Sequence, residues 1–140
     1  MARSAREIAF DQIRIDEGFR SQLYKCPSDK WTIGYGRNLE DNGITELEAE
    51  ILLKHDLQQA QDDASQYAGP VYLTLSPNRK AVLINMAFNL GLPRLSQFVK
   101  LKEALIKQDF AEAAVQMLDS RWHDQVGVRA QRLAKQMKEG

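Results

Sequence analysis

The run Ala81 to Leu90, AVLINMAFNL, constrains this chain more than any other stretch. Ser76-Pro77 stands ahead of it as an N-cap followed by proline at the first helical position, where the missing N–H costs nothing. The spacing therefore predicts a helix, on which Val82, Leu83, Ile84, Met86, Ala87, Phe88 and Leu90 leave almost no polar face. A helix that is apolar all round has to be enclosed by its neighbours, so a helical lobe around residues 77–90 is required. Gly91 suits its C-cap. With 140 residues there is material for one core of ordinary size. The single cysteine, Cys26, cannot make an internal disulfide, and no paired Cys/His spacing suggests zinc. Packing alone must hold the fold, and neither metal nor cofactor is expected.

The segments before this helix have a different character. Residues 4–17 read as a helix, with Ser4 and Glu7 at capping-box spacing and Phe10, Ile13 and Glu17 on one face. Gly18 stops it. A carboxylate on an apolar stripe tends to have its charged form disfavoured, which is how a general acid stays protonated near neutral pH; the alternative is a Glu that merely decorates a frayed helix end. Leu23-Tyr24 and Trp31-Thr32-Ile33 with Tyr35 are strand formers, and Cys26-Pro27-Ser28-Asp29 between them is turn chemistry, so a β-hairpin follows. A third extended piece around Leu39, a turn at Asp41-Asn42-Gly43, and Ile44 are expected to complete a small sheet. Thr45 with Glu48 opens a long helix to about Gln66, with Leu47, Ile51, Leu52 and Leu57 as its apolar stripe. After Pro93 shorter helices are expected over roughly 95–107, 109–118, 120–124 and 127–138.

The expected fold class is α+β: one domain over 1–140, with a small antiparallel sheet lobe at about 18–45 and a helical lobe at about 67–140 that includes the N-terminal helix. The 19 basic and 19 acidic side chains cancel. No global field argues for nucleic acid or a membrane surface. The N-terminal residues lack the apolar core of a secretory signal, and no run reaches membrane-spanning length. A monomer made in the cytoplasm is expected.

Arg14-Ile15-Asp16-Glu17-Gly18, Leu23-Tyr24-Lys25 and Trp31-Thr32-Ile33-Gly34-Tyr35-Gly36 together resemble the active-site segment of the phage-type lysozymes, the endolysins of the T-even phage class. That family's pattern is Glu, eight residues, Asp or Cys, five residues, Thr; Glu17, Cys26 and Thr32 match it. The likeness continues through Asn42-Gly43-Ile44-Thr45, Asn85-Met86-Ala87-Phe88, Ser120-Arg121-Trp122 and Arg129-Ala130-Gln131-Arg132. The resemblance implies hydrolysis of the β-1,4 bond between N-acetylmuramic acid and N-acetylglucosamine in the glycan strands of peptidoglycan, on the wall side of the inner membrane. It implies Glu17 as general acid, Cys26 and Thr32 orienting water on the opposite face of the sugar, Asn89 and Gly36 as substrate-binding positions, and Arg129 near the catalytic Glu. It also matches Arg37 and Asp56 to an ion pair between sheet and long helix.

Cys26 departs from a two-carboxylate scheme. A thiol of ordinary pKa is mostly neutral at pH 7 and cannot supply the fixed charge of an Asp. Three roles stay open for it: water activation, covalent attack, or a spacer. Asp29 is the only nearby substitute carboxylate in the turn, and no family position supports it. A lytic transglycosylase, which needs a single acid/base, and a non-catalytic glycan-binding module are the alternatives to hydrolysis.

Overall fold

The computed structural model describes residues 2–140. The chain forms α1 (Ala5–Glu17), β1 (Arg20–Lys25), β2 (Trp31–Gly34), β3 (Arg37–Asn38), α2 (Leu39–Asn42), α3 (Glu46–Ala68), a 3-10 segment (Gly69–Thr74), α4 (Pro77–Leu95), α5 (Val99–Ile106), α6 (Phe110–Leu118), α7 (Arg121–Val126) and α8 (Val128–Glu139). This is the expected α+β, lysozyme-like fold. It divides into two compact units, Met1–Glu50 and Ile51–Gly140.

In the first unit, α1 starts where Ser4 accepts from the Glu7 N–H at 3.2 Å and Glu7 accepts from the Ser4 N–H at 2.9 Å, a complete capping box. Gly18, at φ 69°, closes the helix. Strands β1, β2 and β3 form an antiparallel sheet in chain order, with Tyr24 opposite Thr32 and Thr32 opposite Asn38. The β1–β2 turn is closed by Asp29 N–H to Cys26 O at 2.8 Å and Cys26 N–H to Lys30 O at 3.0 Å. Asp29 takes the left-handed position of this three-residue loop, φ 63°, which Asp tolerates better than most residues. The third strand differs from expectation: it is Arg37–Asn38, and residues from Leu39 to Asn42 turn helical. The reason is local, because the Asn38 side chain accepts from the Asp41 N–H at 3.1 Å and so caps a helical turn that Gly43 ends.

The second unit holds the core. Helix α4 buries Val82, Leu83, Met86, Ala87, Leu90 and Leu95, as its composition required. Gly91, at φ 77°, breaks it ahead of a last turn containing Pro93. Leu101, Leu105, Met117 and Met137 from α5, α6 and α8 are fully buried with it. Truncating one such Leu to Ala costs about 2–5 kcal/mol. Asp109 and Ser120 cap α6 and α7 with bonds of 3.1 and 3.2 Å. Two stripes depart from expectation. Phe10 and Ile13 on α1 remain 60% and 50% exposed, and Leu47, Ile51, Leu52 and Leu57 on α3 are exposed; α3 buries its C-terminal Ala60, Ala64, Tyr67 and Ala68 instead.

Candidate active site

The first unit brings together two pairs of the predicted residues. Glu17, the last residue of α1, lies over Gly36: a Cβ on Gly36 would sit 2.7 Å from Glu17 Oε2 and 2.8 Å from its Cδ. Gly36 has φ +80°, so both its backbone and its missing side chain matter here. Glu17 itself is exposed, so α1 does not enclose its carboxylate in the apolar wall its stripe suggested.

The second pair is Cys26 and Thr32. Thr32 is 2% exposed, and its Oγ1 donates to Lys30 O at 2.8 Å. Its neighbours on the sheet explain the burial, since it faces Tyr24 on one side and Asn38 on the other. The same Lys30 carbonyl accepts the Cys26 main-chain N–H. The Cys26 side chain is partly buried, and the Lys30 main chain is the foremost cause drawing its thiol below the ordinary range. Burial opposes this, while the Ser28 main chain and the Thr32 hydroxyl assist. Thr32 has one proton, so it serves either the Lys30 carbonyl or the sulfur at a given moment.

Around this turn lies a charged set. Lys30 Nζ stands 3.4 Å from Glu40 Oε2 and 3.4 Å from Asp41 Oδ1, and Lys25 Nζ 3.9 Å from Glu40 Oε1. Asp41 first, and then Glu40, hold the Lys30 ammonium above the usual lysine range. Lys25 also lies 4.3 Å from the centroid of the Trp31 ring. Asp29 occupies the left-handed position of the loop, and its main-chain carbonyl accepts from Lys25 Nζ at 3.5 Å. Arg37 pairs with Glu48 of the same unit through both guanidinium nitrogens. Glu48 is already fixed at the third position of α3, accepting from the Thr45 N–H at 2.9 Å. The Thr45 main chain foremost, then Arg37, lower the Glu48 carboxyl to about 2.

In the second unit two of the three α4 asparagines, Asn85 and Asn89, bind side chains, while Asn78 Nδ2 donates to the Gly140 carbonyl at 3.1 Å. Asn89 Oδ1 accepts from Trp122 Nε1 at 2.8 Å, leaving the exposed Asn89 amide N–H groups free of protein partners in this bond. Trp122 is buried and meets Phe98 edge-on at 6.4 Å. Arg129 aims its guanidinium at Asn85 Oδ1, with distances of 3.0 and 2.6 Å. A cavity of about 790 Å³ opens beside Trp122, with Arg94, Lys100, Arg121 and Gln125 on its walls. Neither this cavity nor Lys30 was legible in the sequence. Lys30 contributes through a main-chain carbonyl, which no residue type announces. Among the described residues no cluster of His, Cys, Asp and Glu could hold a metal.

An acid at a helix end over a glycine, a small sheet with a Cys in its first turn and a Thr on the following strand, and a helical core define a lysozyme-like α+β protein. Residues 14–139 match the model of the phage lysozyme family, and the chain belongs to that family. It is similar to "Probable T4-type lysozyme 2" of Dictyostelium discoideum, 26% identical over 88% of this chain and 89% of that protein. It is also similar to an "Endolysin" of Acyrthosiphon pisum secondary endosymbiont phage 1, 26% identical over 73% of this chain and 69% of the relative. The "Pre-baseplate central spike protein Gp5" of Enterobacteria phage T4 is 28% identical over 88% of this chain, but over only 26% of its own length. The first alignment runs to 151 positions against 140 residues here, so that relative carries insertions this chain lacks.

Proposed function

We propose that, within the lysozyme-like, cell-wall lytic role of its family, this protein hydrolyses the β-1,4 bond between N-acetylmuramic acid and N-acetylglucosamine in peptidoglycan and acts as an endolysin. Glu17 is the general acid: it protonates the glycosidic oxygen as the bond to the anomeric carbon breaks. Water attacks that carbon from the opposite face. Thr32 Oγ1 and Cys26 Sγ hold the water, and a Cys26 thiolate takes the proton it sheds, which gives inversion. Gly36 leaves room for the Glu17 carboxylate beside the sugar. The Asn89 amide donates to the acetamido carbonyl of the glycan, and Arg129, through Asn85, supports the helical wall.

The observation that carries this reading is the tie between Cys26 and Thr32. The Cys26 main-chain N–H and the Thr32 hydroxyl both donate to one carbonyl, so the backbone that carries the thiol and the hydroxyl of the water-handling half share an acceptor. Neutral thiols are weak hydrogen-bond partners, and a thiol drawn below its ordinary range is a better stand-in for a carboxylate. The enzyme reaches the wall from the cytoplasm by a route outside its own helices, none of which is long and apolar enough to cross a membrane among the described residues.

The test is product analysis on purified peptidoglycan, parent beside Glu17→Gln. The parent should release reducing muramic ends and the variant none; equal lysis by both would refute the assignment. Cys26 in place of a second carboxylate also favours one other reading, a lytic transglycosylase on the same bond. That enzyme would leave 1,6-anhydromuramic ends, which the same mass spectra separate from reducing ends.

A further inference from the structure

We propose that Lys30 is a positioning residue of this site: its ammonium is clamped by Glu40 and Asp41 of α2, and the clamp holds its carbonyl where Cys26 and Thr32 both donate to it. The inference rests on the water-handling role given above to that pair. Its physical basis is independent of that role.

Three features converge on one residue. Lys30 directly follows the left-handed Asp29, at the point where the turn passes into β2. Its carbonyl accepts two donors, from Cys26 N–H at 3.0 Å and Thr32 Oγ1 at 2.8 Å. Its ammonium is then drawn to the far side by two carboxylates of the following helical turn, each at 3.4 Å. The α2 turn is itself fixed, because Asn38 caps it and donates through Nδ2 to Asp41 Oδ2 at 2.9 Å. A second strut runs from Glu40 to the Trp31 main-chain N–H, at 3.4 Å. Single exposed ion pairs contribute little, but here Lys25, Lys30 and the Trp31 N–H are all tied to the same short helix.

The clamp acts on main-chain groups, so its loss should be read at Cys26 and not only in overall stability. The charged groups around the turn are Lys25, Asp29, Lys30, Glu40 and Asp41. Removing Glu40 and Asp41 together gives opposite signs for the two explanations. A direct field effect of two lost negative charges would favour the thiolate and speed its alkylation. A loosened Lys30 main chain would withdraw hydrogen bonds from the sulfur and slow it.

The experiment measures iodoacetamide alkylation of Cys26, the one cysteine in the chain, against pH. Proteins compared are the parent, Lys30→Met, Lys30→Arg and the Glu40→Gln/Asp41→Asn double variant, each with circular dichroism to confirm folding. Both clamp-breaking changes should slow alkylation at pH 7 about threefold and move its midpoint up by about half a pH unit. Lys30→Arg should restore most of the parent rate. An unchanged midpoint in the double variant, or a faster one, overturns the inference, and so does Lys30→Arg behaving like Lys30→Met. If Lys30→Met does not fold, the double variant and Lys30→Arg still decide it. Wall hydrolysis is assayed alongside. Absence of turnover by the parent would remove the proposed function while leaving the thiol readout of the clamp intact.

Discussion

Gly36→Ala separates the contact with Glu17 from the backbone demand of its turn. At φ +80° an L side chain is strained, at a cost of about 1–2 kcal/mol. The added Cβ would also meet Glu17 Oε2 at 2.7 Å, and ordinary contact begins at 3.4 Å. The carboxylate must therefore retreat by about 0.7 Å, which is easy for the end of an exposed, flexible side chain and costs little stability. It is not cheap for catalysis, where a misplacement of about 1 Å can cost about a hundredfold in rate. Gly34→Ala is the matched control, since Gly34 has φ +70° and nothing within 4 Å of its added Cβ. Both variants should lose about 1–2 kcal/mol in urea unfolding. On purified peptidoglycan, at equal folded protein, Gly36→Ala should turn over about 10–100-fold more slowly than Gly34→Ala. Equal rates for the two alanine variants would refute the idea that the Glu17 carboxylate works from its place over Gly36.

Asp29→Gly should stabilise the protein by about 0.5 kcal/mol, because glycine accepts the left-handed position freely but loses more entropy on folding; a fall in Tm would contradict this. Glu48, with its folded-state carboxyl lowered to about 2, stabilises the fold above the ordinary glutamate range and loses that contribution as pH falls towards 2. Glu48→Gln should flatten the Tm profile across that acid window and leave its shape near neutrality unchanged, which calorimetry at stepped pH checks. Asn89→Ala strips the Trp122 indole N–H of its acceptor within a buried setting. The cost should be about 1–3 kcal/mol by thermal unfolding, larger than for Asn89→Asp, which keeps an acceptor oxygen.

Net charge bears on rate rather than chemistry. With 19 cationic and 19 anionic side chains, steering towards an anionic wall is weak. Arg94, Lys100 and Arg121 beside the helical cavity form one local group of cations, with Asp119 on the same wall.

What the sequence determined by itself is the set of features whose cause is local. Ser4 with Glu7, Thr45 with Glu48, Ser76-Pro77 and Asp109 with Glu112 mark helix starts because a cap bonds a backbone group only two or three residues away. The buried centre at α4 was legible for the same kind of reason, since a helix with no polar face has nowhere else to go. Family spacing singled out Glu17, Cys26 and Thr32. Tertiary structure alone decided what each of these touches. Arg37 finds Glu48, Asn89 and Asn85 on α4 engage Trp122 and Arg129, and Leu39 to Asn42 coil into a helical turn instead of extending. Above all, Cys26 and Thr32 meet on the carbonyl of Lys30. Every residue owns such a carbonyl, so only the path of the folded chain can say which one becomes part of a site.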